Sequence, residues 1–278
     1  NKIGEPIILG YTRGYSGTVN NERVEYVKPI MYCGGIGSIF TSNLHKYKPI
    51  LSNLIVRIGG PAYRIGLGGG SASSRNQDTD NTKLDFNAVQ RGDPQMENKV
   101  CRFVRSCFEQ DINPILSIHD QGSGGMGNVT KEIVSPNGAI ISLNNVKLGD
   151  KTLSSNEIWN AEYQEQVTIL INNNSIDLVK KIAKRENVNI DFVGYVNNSG
   201  EIDVYNKNDK VKTVLKFNLD KILNKIPQKE YKLIYPDNKK NNKDKTILNF
   251  KKSNELYCDP LSLDFYIENV LKSVSVCC

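Results

Sequence analysis

A histidine and an aspartate, His119 and Asp120, end a short apolar run and stand directly before a glycine-rich loop. Ligand sites in sheets favour the ends of strands, and a carboxylate at such an end can hold Mg²⁺ against phosphate oxygens. A structural interpretation stays open, because aspartate is also a common turn or helix-capping residue. The pair therefore indicates either a magnesium–phosphate site or a simple turn.

A second glycine-rich stretch, at 58–74, follows the short apolar run Leu54–Ile58. Glycine enters positive φ at little cost, so a loop of this composition lets a ligand approach the main chain closely. Successive exposed N–H groups in such a loop can bind an anion such as phosphate. The spacing matches neither G-x-G-x-x-G nor a Walker loop, and a turn needed only for packing is the alternative.

The other polar residues limit the kinds of reaction and ligand that the sequence supports. The cluster Glu162, Tyr163 and Gln164 follows the only tryptophan and precedes an apolar run, where its alternative is a plain strand edge. His45 lies in a polar stretch that is typical of a surface loop. Because no Ser/His/Asp set or Cys/His pair is visible, nucleophilic catalysis is not indicated. The residues by themselves predict a phosphate- or nucleotide-binding domain with a carboxylate for Mg²⁺.

The composition argues against several other classes of protein. Much of the net charge of +6 comes from the lysine-rich run 239–245, which is typical of a solvated linker rather than a nucleic-acid site. No apolar run approaches the roughly 18 residues of a membrane span. The six cysteines form no C-x-x-C pair, so neither a disulfide framework nor a zinc site is expected, and a reducing compartment fits best.

The irregular alternation of strand and helix patterns predicts an α+β domain with a mostly antiparallel or mixed sheet. The pair Asp93-Pro94 predicts the capped start of a helix, because Asp is a good N-cap and Pro suits the first helical position. Further helices are expected from about Val129 and over Ser175–Glu186, and strands at 54–58, 115–118, 138–143, 166–171, 190–196 and 201–205.

Several segments resemble the large type of phosphoribosylformylglycinamidine synthase, and they occur in the same order as in that family. Each segment is a weak match alone, but together they span roughly residues 4–205 and make the resemblance specific. The matching segments are Gly10–Arg13, Lys28–Gly37, Gly59–Ser74, Asp85–Pro94, His119–Gly125 and Glu157–Glu165.

The resemblance implies an activity. Members of that family convert formylglycinamide ribonucleotide to formylglycinamidine ribonucleotide in purine biosynthesis, using ATP, Mg²⁺ and ammonia released from glutamine. The amide oxygen of the substrate attacks the γ-phosphate of ATP, and ammonia displaces phosphate from the resulting iminophosphate. Catalysis of this type is mainly positioning and charge neutralisation around a phosphoryl group. We therefore expect part of a cytoplasmic carbon–nitrogen ligase, with no nucleic acid or membrane as partner.

The resemblance also implies a domain organisation. The family pairs two aminoimidazole-ribonucleotide-synthetase-like units, each with two α/β subdomains. Residues 1–48 would be the tail of an N-terminal subdomain, and 50–207 the C-terminal synthetase-like domain, with a mixed sheet and packed helices. Composition, rather than the resemblance, predicts that the Lys/Asn-rich segment 208–250 is a linker. By the resemblance, 251–278 would begin the second unit, with an apolar-faced helix at Asp259-Pro260.

Site residues follow from the family's motifs position by position. The residues with implied roles are Leu9, Gly10 and Tyr11 for the nucleotide, Gln90, Glu162, Tyr163 and Gln164 for the ribonucleotide substrate, and Asp120 for Mg²⁺. The chain departs from the family at Tyr163, where Ser is usual. No catalytic residue is implied within this chain.

The chain is expected to be a fragment that does not turn over by itself. The family's Glu/His motif, main ATP-phosphate loop and C-terminal glutaminase are not found in its sequence, so the rest of the same polypeptide would be its partner. Two alternatives are another ATP-using enzyme of the superfamily, such as a selenophosphate or thiamine-phosphate kinase-like protein, and a non-catalytic scaffold. Loss of ATP–Mg²⁺ binding in Asp120→Ala would favour an enzyme over a scaffold.

Overall fold

The computed structural model describes residues 10–33, 37–67, 92–162, 165–207 and 213–224. The chain divides into two compact units, one formed by residues 1–6 and 38–227 and the other by residues 7–37 and 228–278. In the second unit, β1 (Gly10–Val19) and β2 (Glu22–Cys33) form an antiparallel hairpin. Its two-residue turn holds Asn20 and Asn21 at φ of 53° and 63°, a conformation that asparagine tolerates better than most residues.

The larger unit is built on a seven-stranded sheet. Its strands are β3 (Leu54–Gly59), β4 (Ser117–Asp120), β5 (Gly138–Ser142), β6 (Gln166–Ile171), β7 (Ile190–Asn197), β8 (Glu201–Tyr205) and β9 (Thr213–Asn218). They lie in the order β4-β6-β3-β7-β5-β8-β9. All neighbours are antiparallel except β5 and β8, which run parallel. The prediction of an α+β fold with a mixed sheet is confirmed.

Helices cover both faces of this sheet. They are α1 (Pro94–Phe108), α2 (Gly125–Ile133), α3 (Ser155–Asn160), α4 (Ile176–Glu186) and the short α5 (Leu219–Leu223). Side chains of α1 and α4 form one apolar cluster with Val56 and Ile58, whereas those of α2 and α3 form another with Ile55. Because successive strand residues point to opposite faces, the central strand β3 is buried on both sides.

The start of α1 agrees with its local sequence signal. The Asp93 side chain accepts a hydrogen bond from the Met96 N–H at 3.0 Å, and Pro94 occupies the first turn. The helix then buries Val100 and Phe103 against the sheet. This capped start fixes the N-terminal end of α1.

Two boundaries next to the candidate residues differ from the sequence prediction. β4 spans Ser117–Asp120 rather than 115–118, because Asn113 Oδ1 accepts the Ile115 N–H at 2.9 Å and keeps the chain in a turn. α2 begins at Gly125 rather than near Val129, because the helix starts directly from the left-handed Gly124, whose φ is 84°. Both shifts bring the elements closer to the loop that follows Asp120.

The segment 208–250, predicted to be a linker, contains regular structure. β9 pairs with β8 and leads directly into α5. Phe217 packs against the apolar core and Leu219 is buried, while the outer strand leaves lysine exposed to water. β9 itself contains a single lysine, Lys216, but it lies within a longer stretch rich in Lys, Asn and Asp, which is why the segment was predicted to be a linker. The larger unit also includes residues 38–48, which lie within the segment 1–48 that was assigned to another subdomain.

Candidate functional site

The segments that carry candidate residues meet at one edge of the seven-stranded sheet, the edge formed by the ends of its strands rather than by an outermost strand. β3 and β4 both end at this edge, and β6, which lies between them in the opposite direction, starts there. In the register of the sheet, Gly59 pairs with Gln166, and Asp120 pairs with Val167. The glycine loop after β3, the loop after β4 and the segment before β6 are therefore neighbours.

The main chain of the glycine loop is held against the start of β6. Gly59 has a φ of 122°, and a Cβ atom at this position would overlap the carbonyl oxygen of Glu165. The N–H group of Gly60 donates to the same oxygen at 3.2 Å. A glycine is needed at residue 59 because a larger residue could adopt neither the backbone conformation nor the close approach.

A second close approach joins this loop to Glu162. Gly66 has a φ of 63°, and a Cβ atom there would overlap the main chain and Cβ of Glu162. Glu162 is only 6% exposed, and this burial raises the pKa of its carboxyl group. The glycine loop thus packs against Glu162, whose carboxyl group is removed from water.

The crowding at Gly66 predicts a stability difference between two glycine variants. Gly200 also has a positive φ, 69°, but has open space where a Cβ atom would lie. We expect Gly200→Ala to cost about 1 kcal/mol, the cost of the left-handed backbone alone. Gly66→Ala should cost at least about 2 kcal/mol more, because Glu162 must also move. Urea unfolding of both variants tests this, and equal losses would contradict the close packing of Gly66 on Glu162.

Ion pairs anchor the same loop to α3. Arg64 Nε donates to Glu157 Oε1 at 2.8 Å, and Nη1 donates to Asp150 Oδ2 at 3.1 Å. The hydrogen bond from Arg64 is the main reason that the pKa of Glu157 falls to about 2. Glu157 also completes a capping box with Ser154 at the start of α3. The ion pair of Arg64 with Glu157 therefore links the glycine loop to α3, the helix that precedes Glu162.

A buried arginine lies beneath the glycine loop. Arg57, in the middle of β3, is 2% exposed. Its guanidinium group donates to Asp191 Oδ2 at 2.6 Å, to the Gly60 carbonyl oxygen at 2.8 Å and to Gln166 Oε1 at 3.2 Å. The planar group thus ties three strands and the first residues of the loop together.

Two glutamines extend this network to the loop after β4. Gln166 Nε2 donates to the Gly60 carbonyl oxygen at 2.6 Å, and Gln121 Nε2 donates to Gln166 Oε1 at 2.7 Å. The Gln121 N–H also donates to the Gln166 carbonyl oxygen at 2.9 Å. The residue that follows Asp120 is therefore fixed to the same network as the glycine loop.

Asp120 and its neighbour His119 have different surroundings. His119 Nε2 lies 2.6 Å from Glu132 Oε2 on α2, and Nδ1 lies 2.8 Å from the Asp120 carbonyl oxygen. The Asp120 side chain is 85% exposed. In the described ranges, no group of three His, Cys, Asp or Glu side chains is arranged for a metal ion. One exposed carboxylate still fits Mg²⁺, which commonly takes one or two protein carboxylates and completes its shell with water and phosphates.

A cleft of about 620 Å³ opens beside these loops. Its lining includes Leu67 from the glycine loop, Ser123 and Gly124 from the loop after β4, Lys131 from α2, and Asn156 and Asn160 from α3. A volume of this size is typical of small-molecule and cofactor sites. The arrangement can therefore receive a polar ligand between the two glycine-rich loops.

The larger unit matches a known protein family. The model of the family described as AIR synthase related protein, C-terminal domain, matches residues 52–207, which is more than half of the chain. This chain belongs to that family. The domain boundaries expected from the sequence, 50–207, stay a prediction.

Curated relatives confirm the resemblance seen in the sequence motifs. Phosphoribosylformylglycinamidine synthase of Dictyostelium discoideum is 50% identical over 238 residues, which cover 84% of this chain and 17% of the relative. The synthase of Homo sapiens is 41% identical over 248 residues, which cover 83% of this chain and 18% of the relative. The chain thus spans about one sixth of the length of these relatives.

Solved structures support the fold of the AIR synthase related domain. PurL of Thermotoga maritima complexed with FGAR has a TM-score of 0.59 and 23% sequence identity, and the match covers 69% of this chain and 31% of that one. Phosphoribosylformylglycinamidine synthase II from the same organism has a TM-score of 0.55 and 21% identity, with 69% and 29% covered. At these identities the similarity shows the fold alone.

The predicted site residues fall on different parts of the AIR synthase related domain and its neighbour. Asp120 is the last residue of β4, and Glu162 precedes β6, at the same edge of the sheet. Gly10 and Tyr11 begin β1 in the other unit, where only their backbone is described. The remaining predicted residues, Leu9, Gln90, Tyr163 and Gln164, lie outside the described residues. The implied role of each residue stays a prediction.

Sequence reasoning missed the buried polar residues beneath the site. Arg57 was included only as part of an apolar strand, and the roles of Gln121 and Gln166 were not recognised. A signal was present, since an arginine between the apolar residues Val56 and Ile58 must find partners if the strand is buried. Those partners could not be identified, because they come from distant parts of the sequence.

Proposed function

We propose that this chain is part of a phosphoribosylformylglycinamidine synthase, an ATP-dependent ligase of purine biosynthesis. The complete enzyme converts formylglycinamide ribonucleotide (FGAR) to formylglycinamidine ribonucleotide (FGAM) with ammonia derived from glutamine. The observation that carries the proposal is the meeting of the glycine loop, the Asp120 loop and Glu162 at one sheet edge. The names of relatives at 41–50% identity support the same reaction.

The ribonucleotide substrate binds where Glu162 is covered by the glycine loop, together with Tyr163, Gln164 and Gln90. Glu162 supports this role because its carboxyl group is already removed from water. A ligand hydroxyl or amide that hydrogen-bonds to such a group gains more than it would at an exposed site. The fold shared with a PurL solved in complex with FGAR is consistent with a substrate of that class.

ATP and Mg²⁺ bind on the Asp120 side of the same edge. A nucleotide-binding role for Leu9, Gly10 and Tyr11, which the family's motif implies, is a separate proposal. Asp120 would hold the ion through its exposed carboxylate, and the bound ion would neutralise phosphate charge. The solved T. maritima PurL complex with ATP supports a nucleotide of this type. Asp120 ends β4, and Glu162 precedes β6, the neighbouring strand, and this arrangement supports a metal site beside the substrate, as phosphoryl transfer requires.

The partners of this chain are the rest of the same polypeptide, including a glutaminase that supplies ammonia. We propose that it works in the cytoplasm, where purine precursors and a reducing environment are found. Within the described residues, no helix combines the length and apolarity needed to cross a bilayer. Neither nucleic acid nor membrane is a proposed partner.

A product assay tests this function. The complete polypeptide that carries this chain should form FGAM from FGAR, ATP and glutamine, or from ammonium salts in place of glutamine, and release one ADP and one phosphate for each product. The isolated chain should form none. Product from the isolated chain would contradict the proposal that the rest of the polypeptide completes the site. ATP-dependent use of selenide or thiamine phosphate by the complete enzyme would contradict the proposed reaction.

A further inference from the structure

One side of α2 lines the cleft of about 620 Å³ beside the two glycine-rich loops. The lining residues on this side are the N-cap Gly124 and, along the helix, Gly127, Asn128 and Lys131. Separations of three and four residues place these positions on one face of a helix. Ile133, on another face, packs into the apolar core. α2 therefore presents two glycines, one amide and one cation to the cleft.

The place of Lys131 on the helix directs its side chain over the rest of this face. A long side chain on a helix leans over the turn on the N-terminal side of its own Cα atom. For Lys131 that turn contains Asn128 and Gly127, and Gly127 has no side chain to fill the space. A Cβ atom at Gly127 would lie 2.8 Å from Trp159 Nε1, so close packing on Trp159 holds this part of α2 in place. The Lys131 ammonium group can therefore reach a ligand that lies along α2 in the cleft.

The other charged groups near Lys131 are already paired. Glu157 is the one acid among the described residues that line the cleft, and Arg64 Nε donates to it at 2.8 Å. Glu132, next to Lys131 in the sequence, lies 2.6 Å from His119 Nε2. None of the described ion pairs includes Lys131, although this residue is half-buried. A cleft in which one sign of charge is left uncompensated attracts a ligand of the opposite sign.

The charges of the two proposed substrates decide which anion this ligand is. The phosphates of ATP have Mg²⁺ at Asp120 to neutralise them. FGAR carries a 5′-phosphate that takes no part in the reaction and therefore needs a cation of its own. Lysine is a common phosphate binder and acts as a point charge. The cleft also adjoins both sides of the site, since its lining residues Ser123 and Asn160 follow Asp120 and precede Glu162 in the sequence.

We propose that Lys131 binds the 5′-phosphate of the ribonucleotide substrate FGAR. The inference rests on the proposed synthase function and adds to it a binding residue that the sequence motifs did not indicate. A purely structural role is the alternative, because Lys131 lies in the last turn of α2, where a cation stabilises a helix.

Steady-state kinetics of the complete synthase test this assignment. We expect Lys131→Gln to raise the KM for FGAR at least about tenfold, because a charge-assisted contact to the phosphate is lost. The KM for ATP should stay within about twofold, since the proposed contact is with FGAR alone. Lys131→Arg keeps a cation and should raise the KM for FGAR less than about threefold. Both variants should fold, because glutamine and arginine form helices about as well as lysine.

Lys184→Gln is the matched control. Lys184 is an exposed cation in the last turn of α4, which packs on the opposite face of the sheet from α2. Its substitution removes the same stabilising charge from a helix end and should leave both KM values within about twofold.

Three outcomes overturn the inference while the wild-type synthase still forms FGAM, so that the proposed function stands. Lys131→Gln could resemble Lys184→Gln, it could raise the KM for ATP as much as that for FGAR or more, or Lys131→Arg could be as impaired as Lys131→Gln. If the wild-type synthase forms no FGAM, the proposed function fails and this inference fails with it.

Discussion

Replacing Arg57 by Met should destabilise the larger unit by about 3–5 kcal/mol, the usual cost of removing one partner of a buried ion pair. Arg57 is 2% exposed, and the Asp191 side chain that it contacts is 10% exposed. The substitution leaves this carboxylate buried without its cation. It also leaves the Gly60 carbonyl oxygen and Gln166 without the guanidinium donor. Several polar groups are affected together, so the loss exceeds that of an ordinary hydrogen bond.

Urea unfolding followed by tryptophan fluorescence measures this loss. Trp159 is the only tryptophan of the chain and is 6% exposed in the core of the same unit, so its emission reports unfolding there. Lys216→Met is the control, because the pair of Lys216 with Glu201 is largely exposed and its loss should leave the free energy of unfolding close to that of the wild type. A loss of less than about 1 kcal/mol in Arg57→Met would contradict the network as a support of the glycine loop.

Replacing Asp120 by Asn should lower kcat/KM of the complete synthase by about 10²–10³-fold, the size of effect seen when one electrostatic contact to a reacting group is lost. The variant keeps the shape of the side chain and removes its charge. The Mg²⁺ concentration needed for half-maximal rate should rise as well, since asparagine is a weaker ligand for the ion. The fold should be unaffected, because the Asp120 side chain is 85% exposed.

Asp111→Asn is the control for this measurement. Asp111 is exposed and precedes β4, whereas Asp120 ends it, so the two aspartates lie beyond opposite ends of the same strand. The control should keep kcat/KM and the Mg²⁺ dependence of the wild type. If Asp120→Asn changes kcat/KM less than threefold, Asp120 is a turn residue, and the metal site must be sought elsewhere.

Local signals in the sequence predicted much of the frame of the site. Asp93-Pro94 marks the start of α1 because a cap and a proline act within one turn of the chain. The apolar runs predicted the strands. In the sheet, the glycine loop and Asp120 lie close together because β3 and β4 end on the same side. Even the errors were small here, since β4 and α2 were displaced by only a few residues.

Long-range contacts could not be predicted in the same way. Arg57 meets Gln166 and Asp191 across sequence separations of 109 and 134 residues, and no local pattern encodes such pairs. Glu165 lies one residue beyond a recognised cluster, and its side chain accepts a hydrogen bond from the Asp93 N–H, 72 residues away. The strand β9 was missed for a different reason, because its six residues lie within a longer stretch rich in Lys, Asn and Asp whose composition is typical of a linker.

Amide hydrogen exchange of the complete synthase tests the central claim most directly, because it locates the ligands without assuming the reaction. With FGAR, ATP and Mg²⁺ bound, we predict slower exchange at 58–67, 119–125 and 165–168, where the ends of β3 and β4 meet the start of β6. Exchange at 111–116 and 172–175, at the opposite edge, should not change. Slower exchange only at the opposite edge, or none at either edge under saturating ligand, would contradict the account.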